Sequence, residues 1–250
     1  MKLSIRLVAL LVLPLVCCSR GKDKADEALE QAQQFAAQGK FEEALQKHIW
    51  YHDHALEINQ AHYGVRLSFA LSYWIDLGKK YPKALDALKD IRDKKVARLV
   101  AGENNWLLFH EIVAINDQLG EVKATVELFK KIEVAQPEFA SSISDLADEA
   151  FFAAKEYGLE RKYLGDPCSR FDRAKSRLDW GLNYALTSRY PARSRQSVEI
   201  IFSREVVRLI VVLDQTGDGD LARQIQSDAL AACNTAAIRD AVTKELTYSH

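Results

Sequence analysis

Four of the chain's six histidines lie within 15 residues, in the run Lys47-His48-Ile49-Trp50-Tyr51-His52-Asp53-His54 and at His62. His48 and His52 are four apart, so on a helix their imidazoles share one face, the spacing that two metal ligands need. Asp53 or His54 would have to turn in to complete a site, and neither a His-Glu-x-x-His pattern nor a cysteine pair accompanies them. Rings that pack between helices, or that line a groove and touch a partner, satisfy the same spacing. The candidate groove residues are His48, Tyr51, His52 and His62. Metal binding by the His48, His52, His54 and His62 cluster is the alternative.

A second run, Asp214-Gln215-Thr216-Gly217-Asp218-Gly219-Asp220, sets oxygen donors at alternate positions around a glycine, as the start of a calcium loop requires. Ile225 stands where the closing bidentate Glu belongs, and the run also suits a turn between two helices. A third feature is charge. Arg161 to Arg208 holds 11 basic residues against 5 acidic ones, and 9 of the 11 are arginine. Guanidinium forks match carboxylates and phosphates, so this segment is either an anion-receiving patch or a partner for the chain's own acidic helices. Its candidate residues are Arg173, Arg177 and Arg193. No nucleophile elbow, zinc-hydrolase helix, phosphate loop or dinucleotide fingerprint occurs, and the expectation is a protein that is not an enzyme and uses no cofactor.

These residues need elements to hold them. The 250 residues are 48% hydrophobic with only 11 glycines and 5 prolines, which excludes a disordered or collagen-like chain. With 34 basic and 35 acidic residues the net charge is −1, so nothing global points to nucleic acid. From Asp23 onward helical periodicity recurs with no convincing strand. Ala28, Leu29, Ala32, Phe35 and Ala36 precede Gly39, and Ala44, Leu45, His48, Ile49, Tyr51 and Leu56 follow it. Further runs end at Gly78, Gly120, Gly158 and Gly217. Helix, glycine turn and second helix, repeated, predict an all-α protein of stacked antiparallel helix pairs, an α-solenoid. Leu159 to Asp172, broken by Gly165-Asp166-Pro167, reads as an irregular segment. Trp50, Trp74, Trp106 and Trp180 fall in separate pairs and read mainly as inter-helix packing. A last helix over Thr235 to Leu246 would cover the end of the stack.

The stretch Ala36-Ala37-Gln38-Gly39-Lys40-Phe41-Glu42-Glu43-Ala44-Leu45 resembles the middle of a tetratricopeptide repeat. Gly120 with Val122, Thr125, Phe129, Ile132 and Pro137 is similar to it by position, as is Gly217 with Ala222 and Ala229. The resemblance covers about two-thirds of the chain and is degenerate, because Gly39, Gly78, Gly120 and Gly158 are separated by 39, 42 and 38 residues where the family repeats about every 34. It implies scaffold or adaptor work, with another protein or peptide bound between helix pairs.

The N-terminal residues carry an address. Lys2 and Arg6 precede an apolar run of 10 residues, Leu7 to Val16, about 15 Å of helix and half a bilayer core, as in a secretory signal peptide over residues 1–18. Leu15-Val16-Cys17-Cys18 resembles the lipobox of bacterial lipoproteins, with Cys17 where Gly or Ala is usual. That resemblance implies a diacylglycerol on Cys18 and, with Ser19 following, an outer-membrane lipoprotein facing the periplasm; the alternative is a soluble periplasmic or secreted protein. Residues 19–24 read as a linker and 25–250 as one helical-repeat domain. An oxidising compartment would permit a disulfide between Cys168 and Cys233, or leave two free thiols. A non-catalytic envelope scaffold that binds a protein or peptide is the expected function. The alternatives are a periplasmic metal-binding protein or metal-dependent enzyme using the His48, His52, His54 and His62 cluster, or a structural subunit of an envelope complex.

Overall fold

The computed structural model describes residues 21–233, which form twelve helices and no strand. The segment expected to be a signal peptide, with Cys18, and the helix expected over 235–246 lie outside the described residues. Most helices among the described residues pack on the next helix in the chain, as an all-α protein of stacked hairpins requires. Among the described residues no helix is long and apolar enough to cross a membrane. The described residues fall into two compact units, the first ending at Tyr81 and the second beginning at Pro82.

The first unit contains α1 (Lys24–Ala37), α2 (Phe41–Ile58), α3 (His62–Leu67) and α4 (Phe69–Lys80). The expected linker ends in a cap. Asp23 accepts from the backbone N–H groups of Ala25 and Asp26 at 2.9 and 3.0 Å, while Asp26 reaches back to the N–H of Asp23. This capping box satisfies donors that the first turn of α1 would otherwise leave open. Ala25, Ala28 and Ala32 are buried on one face, and their small side chains let α1 lie close against Ala44 and Ala55 of α2.

The turn between α1 and α2 repeats elsewhere. The N–H of Lys40 donates to Phe35 O at 2.9 Å and that of Gly39 to Ala36 O at 3.2 Å, with Gly39 at φ 74°. Glu121 and Gly120 bond Asn116 O and Asp117 O in the same register, and Asp218 and Gly217 bond Leu213 O and Asp214 O. Each is a Schellman closure, which needs one left-handed residue and favours glycine there. Two expected turns move. Gly78 is buried inside α4, because the helix runs on to Lys80 and stops where Pro82 disfavours helical geometry at Tyr81. Gly158 lies inside α9, and the left-handed residue is Lys155 at φ 61°, with Glu156 N–H donating to Phe151 O at 2.8 Å.

The second unit contains α5 (Pro82–Val100), α6 (Trp106–Leu119), α7 (Val122–Ala135), α8 (Pro137–Ala153), α9 (Tyr157–Tyr163), α10 (Pro167–Thr187), α11 (Pro191–Gln215) and α12 (Gly219–Ala232). Four of them open on a proline, where a missing N–H costs no hydrogen bond. The segment expected to be irregular is thus the short α9, a link over 164–166 and the start of α10.

Two apolar clusters hold this unit. In one, Phe129 meets Phe151 edge-on at 4.8 Å and Tyr163 at 5.3 Å, and Thr125, Phe129 and Ile132 are buried where the repeat pattern puts them. In the other, Leu178, Val206, Ile210 and Leu213 join Ala222, Ile225 and Ala229. Of the tryptophans only Trp74 is buried at 1% exposure; Trp50, Trp106 and Trp180 are 36%, 53% and 70% exposed, and most of them are not inter-helix packing. Cys168 and Cys233 are not bonded to each other. Cys168 is exposed in the first turn of α10, while Cys233 is buried in the cluster that also holds Leu213 and Ile225 among its members.

Candidate functional site

In the first unit three of the four histidines, His48, His52 and His62, are buried in the interior. His48 and His52 do share a face, but that face meets Trp74: His48 stacks on the indole at 5.5 Å and His52 meets it edge-on at 6.1 Å. Arg66 Nε donates to His52 O at 2.7 Å and its Nη2 lies 3.1 Å from His52 Nε2. A guanidinium only donates, so His52 Nε2 accepts. His48 Nδ1 is buried without a hydrogen-bond partner, and burial lowers the ring's pKa to about 4, so the ring stays neutral.

His62 sits between Asp23 and Tyr51. Its Nε2 lies 3.0 and 3.1 Å from the two Asp23 oxygens, and its Nδ1 lies 3.2 Å from the Tyr51 hydroxyl. The Asp26 N–H and this imidazole hold the Asp23 carboxyl well below the usual carboxylate range, and burial pushes the Tyr51 phenol up to about 12. A carboxylate, an imidazole and a hydroxyl in line resemble proton-transfer machinery, but Tyr51 is 1% exposed and no substrate reaches it.

His48, Tyr51, His52 and His62 therefore do not line an open groove. They are core residues, because α2 carries His48, Tyr51 and His52 on buried positions and His62 at the start of α3 is buried against Tyr51. His54 points away, is half-buried, and pairs with Glu57 at 3.0 Å. His48 and His52 gain no carboxylate to complete a metal site. Among the described residues the one grouping of metal-ligand size is Asp23, Asp26 and His62, with ligand atoms within 4.8 Å of one another. Two of those three cap the positive end of α1, which works against a cation there. The run over 214–220 forms a hairpin turn, and its Asp218 accepts from Arg161 Nε at 2.9 Å.

The second unit opens a different site. A cavity of about 600 Å³ lies among α8, α9, α10 and α11, within the range ligand pockets occupy. Phe152, Leu164 and Val206 wall it, and Arg177 and Arg204 line it beside Glu149 and Glu205. Helical spacing assembles it: Arg170, Ala174 and Arg177 stand at i, i+4 and i+7 on α10, and Arg204 and Arg208 at i and i+4 on α11.

Its floor is ionic. Arg208 Nε donates to Glu160 Oε1, Arg208 Nη2 lies 3.2 Å from Asp148 Oδ2, and the guanidinium covers the Phe152 ring at 5.7 Å. Arg170 extends the network to Asp145 at 3.0 Å and Asp148 at 3.6 Å. Glu160 is 2% exposed, its Oε2 has no hydrogen-bond partner, and burial pushes its carboxyl up to about 7 against the pull of Arg208.

Of the three arginines singled out in the sequence, Arg177 lines the cavity and bonds Glu205 at 2.6 Å, while Arg173 and Arg193 are exposed outside it. Seven of the 11 basic residues over 161–208 pair with the chain's own acids. Arg173, Arg189, Arg193 and Arg204 have no carboxylate within ion-pair distance among the described residues. Sequence reasoning missed Arg170, Arg204, Arg208 and Glu160. The i, i+4, i+7 recurrence of arginine and alanine on α10 was the available signal.

No protein-family model matches the chain, and comparison with curated proteins and with solved structures found no match.

Proposed function

We propose that this chain is a non-catalytic scaffold of the bacterial envelope that holds another protein or a peptide on its helical hairpins. The hairpins are tetratricopeptide-like in their turns, and Cys18 carries a lipid that keeps the body at a membrane. One observation carries the reading: a cavity of about 600 Å³ opens between helices with apolar walls and charged lips, and no exposed nucleophile, base and oxyanion donor converge on it. Its lining mixes fixed cations, fixed anions and hydrocarbon, as surfaces that grip polypeptide do. The basic lysyl head, short apolar run and Cys18 support export and acylation.

Two measurements test it. Radioactive palmitate fed to cells labels the wild-type chain and not Cys18→Ala; equal labelling, or none, removes the anchor. Crosslinking in living cells yields discrete adducts of the chain with a second protein. A chain that forms no adduct from either unit contradicts the scaffold reading.

A further inference from the structure

The cavity does not end at Arg177. On α10 the positions Arg170, Ala174, Arg177, Trp180 and Tyr184 follow one another at helical spacing, so the cavity wall continues as an exposed aromatic stripe. Trp180 and Tyr184 are 70% and 60% exposed and stack face to face, 5.6 Å apart and 10° from parallel. The partner helix matches. Arg177 bonds Glu205, and Gly181 meets Val198 so closely that an added Cβ would lie 2.8 Å from the Val198 methyls. Between those two contacts α11 presents Ile200 and Ile201, 47% and 54% exposed. Apolar side chains this open, grouped beside a cavity, mark an interaction surface.

We propose that the α10–α11 face receives an acidic, amphipathic peptide segment. One of its apolar side chains enters the cavity, others lie along Trp180, Tyr184, Ile200 and Ile201, and its carboxylates meet Arg173, Arg193 and Arg204. This deepens the scaffold reading and rests on it. Charge chooses the occupant. The acids Glu199 and Glu205 are already engaged by Arg195 and Arg177, whereas Arg193 and Arg204 have no carboxylate within ion-pair distance among the described residues, and Arg173 only attracts Asp166 from beyond that distance. The chain as a whole is −1, so this cationic surplus is local. Shape and the rim decide against a lipid surface. A bilayer does not fill a concavity, and a sheet of phosphates laid over the cavity would also meet Glu149 and Glu205. A peptide sets its acids only where guanidiniums stand.

The test uses the purified full chain and three probes. They are a fluorescein-labelled peptide of glutamate, leucine and phenylalanine, the same peptide with lysine for every glutamate, and vesicles containing phosphatidylglycerol. Binding of the acidic peptide that weakens with salt, weakens about tenfold in Arg173→Glu/Arg204→Glu, and weakens about as much in Trp180→Ala supports the assignment. The lysine peptide stays unbound. Equal binding of both peptides, binding unmoved by these exposed-site variants, or tighter binding to the vesicles overturns it. If peptide binding fails while adducts still form in cells, the scaffold reading stands and this assignment alone falls.

Discussion

His62 Nε2 lies 3.0 Å from Asp23 Oδ2 across 39 residues of sequence, so one imidazole ties the start of α3 to the cap of α1. The same ring meets the hydroxyl of Tyr51 with its other nitrogen. His62→Ala leaves that buried hydroxyl without its partner and loosens the cap, at a cost of about 2 kcal/mol. His54→Ala, which removes a half-buried ring with only an outward ion pair, changes stability by about 0.5 kcal/mol or less. Urea unfolding of the two variants beside the wild type checks the contrast; equal losses would show that the buried relay holds nothing.

His48 makes stability depend on pH. Its folded pKa of about 4 lies below the ordinary imidazole value of 6.5, so the unfolded chain takes up the proton first as pH falls. Its contribution is complete above about pH 6.5, declines as pH falls toward 4, and amounts to about 3 kcal/mol across that window. Asp23 acts in the same direction at lower pH, below the usual carboxylate value, so the two windows separate. His48→Phe keeps a ring on Trp74 and removes the titration. Its unfolding free energy is flatter than that of the wild type between pH 7 and pH 4.5; parallel curves contradict the assignment.

Glu160 works with the opposite sign. Its folded value of about 7 exceeds the ordinary carboxylate value of 4.5, so its contribution is complete below about pH 4.5 and is lost as pH rises through 7. Glu160→Gln keeps an oxygen for Arg208 Nε and removes the ionisation. This variant matches or exceeds the wild type in stability at pH 8 and loses that advantage at pH 5. A variant less stable at both pH values would mean that the charged pair with Arg208 outweighs the burial.

Gly181 sets the approach of α10 to α11. Gly181→Ala drives its methyl into Val198 and destabilises by about 2 kcal/mol, and Val198→Ala in the same chain restores part of the loss. A thermal-unfolding double-mutant cycle measures the coupling. Additive effects would show that the helices do not meet there.

Lys155 is a non-glycine residue in the left-handed region, at φ 61°, closing α8 with the same hydrogen bonds that Gly39 and Gly120 make. Lys155→Gly relieves that conformation and stabilises by about 1 kcal/mol. Gly120→Ala, at φ 70°, does the reverse. A raised melting temperature for the first and a lowered one for the second are the expected readings.

Local rules carried the sequence reading as far as they reach. Gly39, Gly120 and Gly217 close helices because a left-handed residue is needed within a few positions of the last apolar one, and Thr125, Phe129 and Ile132 are buried because their spacing allows one inward face. Gly78 and Gly158 misled because a glycine marks where a turn is permitted, and Pro82 and Lys155 mark where it occurs. Periodicity also does not say which face a neighbour covers. His48 and His52 look like groove residues until Trp74 and Arg66, far along the chain, close over them. The cavity was out of reach for the same reason: it exists only once Asp148, Glu160 and Arg208 come together.

The most direct measurement places a photocrosslinking amino acid at Trp180, at Arg204 and, as a control on an exposed face of α7, at Glu127, each in the full chain in living cells. Adducts to one protein from positions 180 and 204, and none from 127, are the predicted result. Adducts that form from 127 and never from 180 or 204 would contradict the claim that this molecule works through its α10–α11 face.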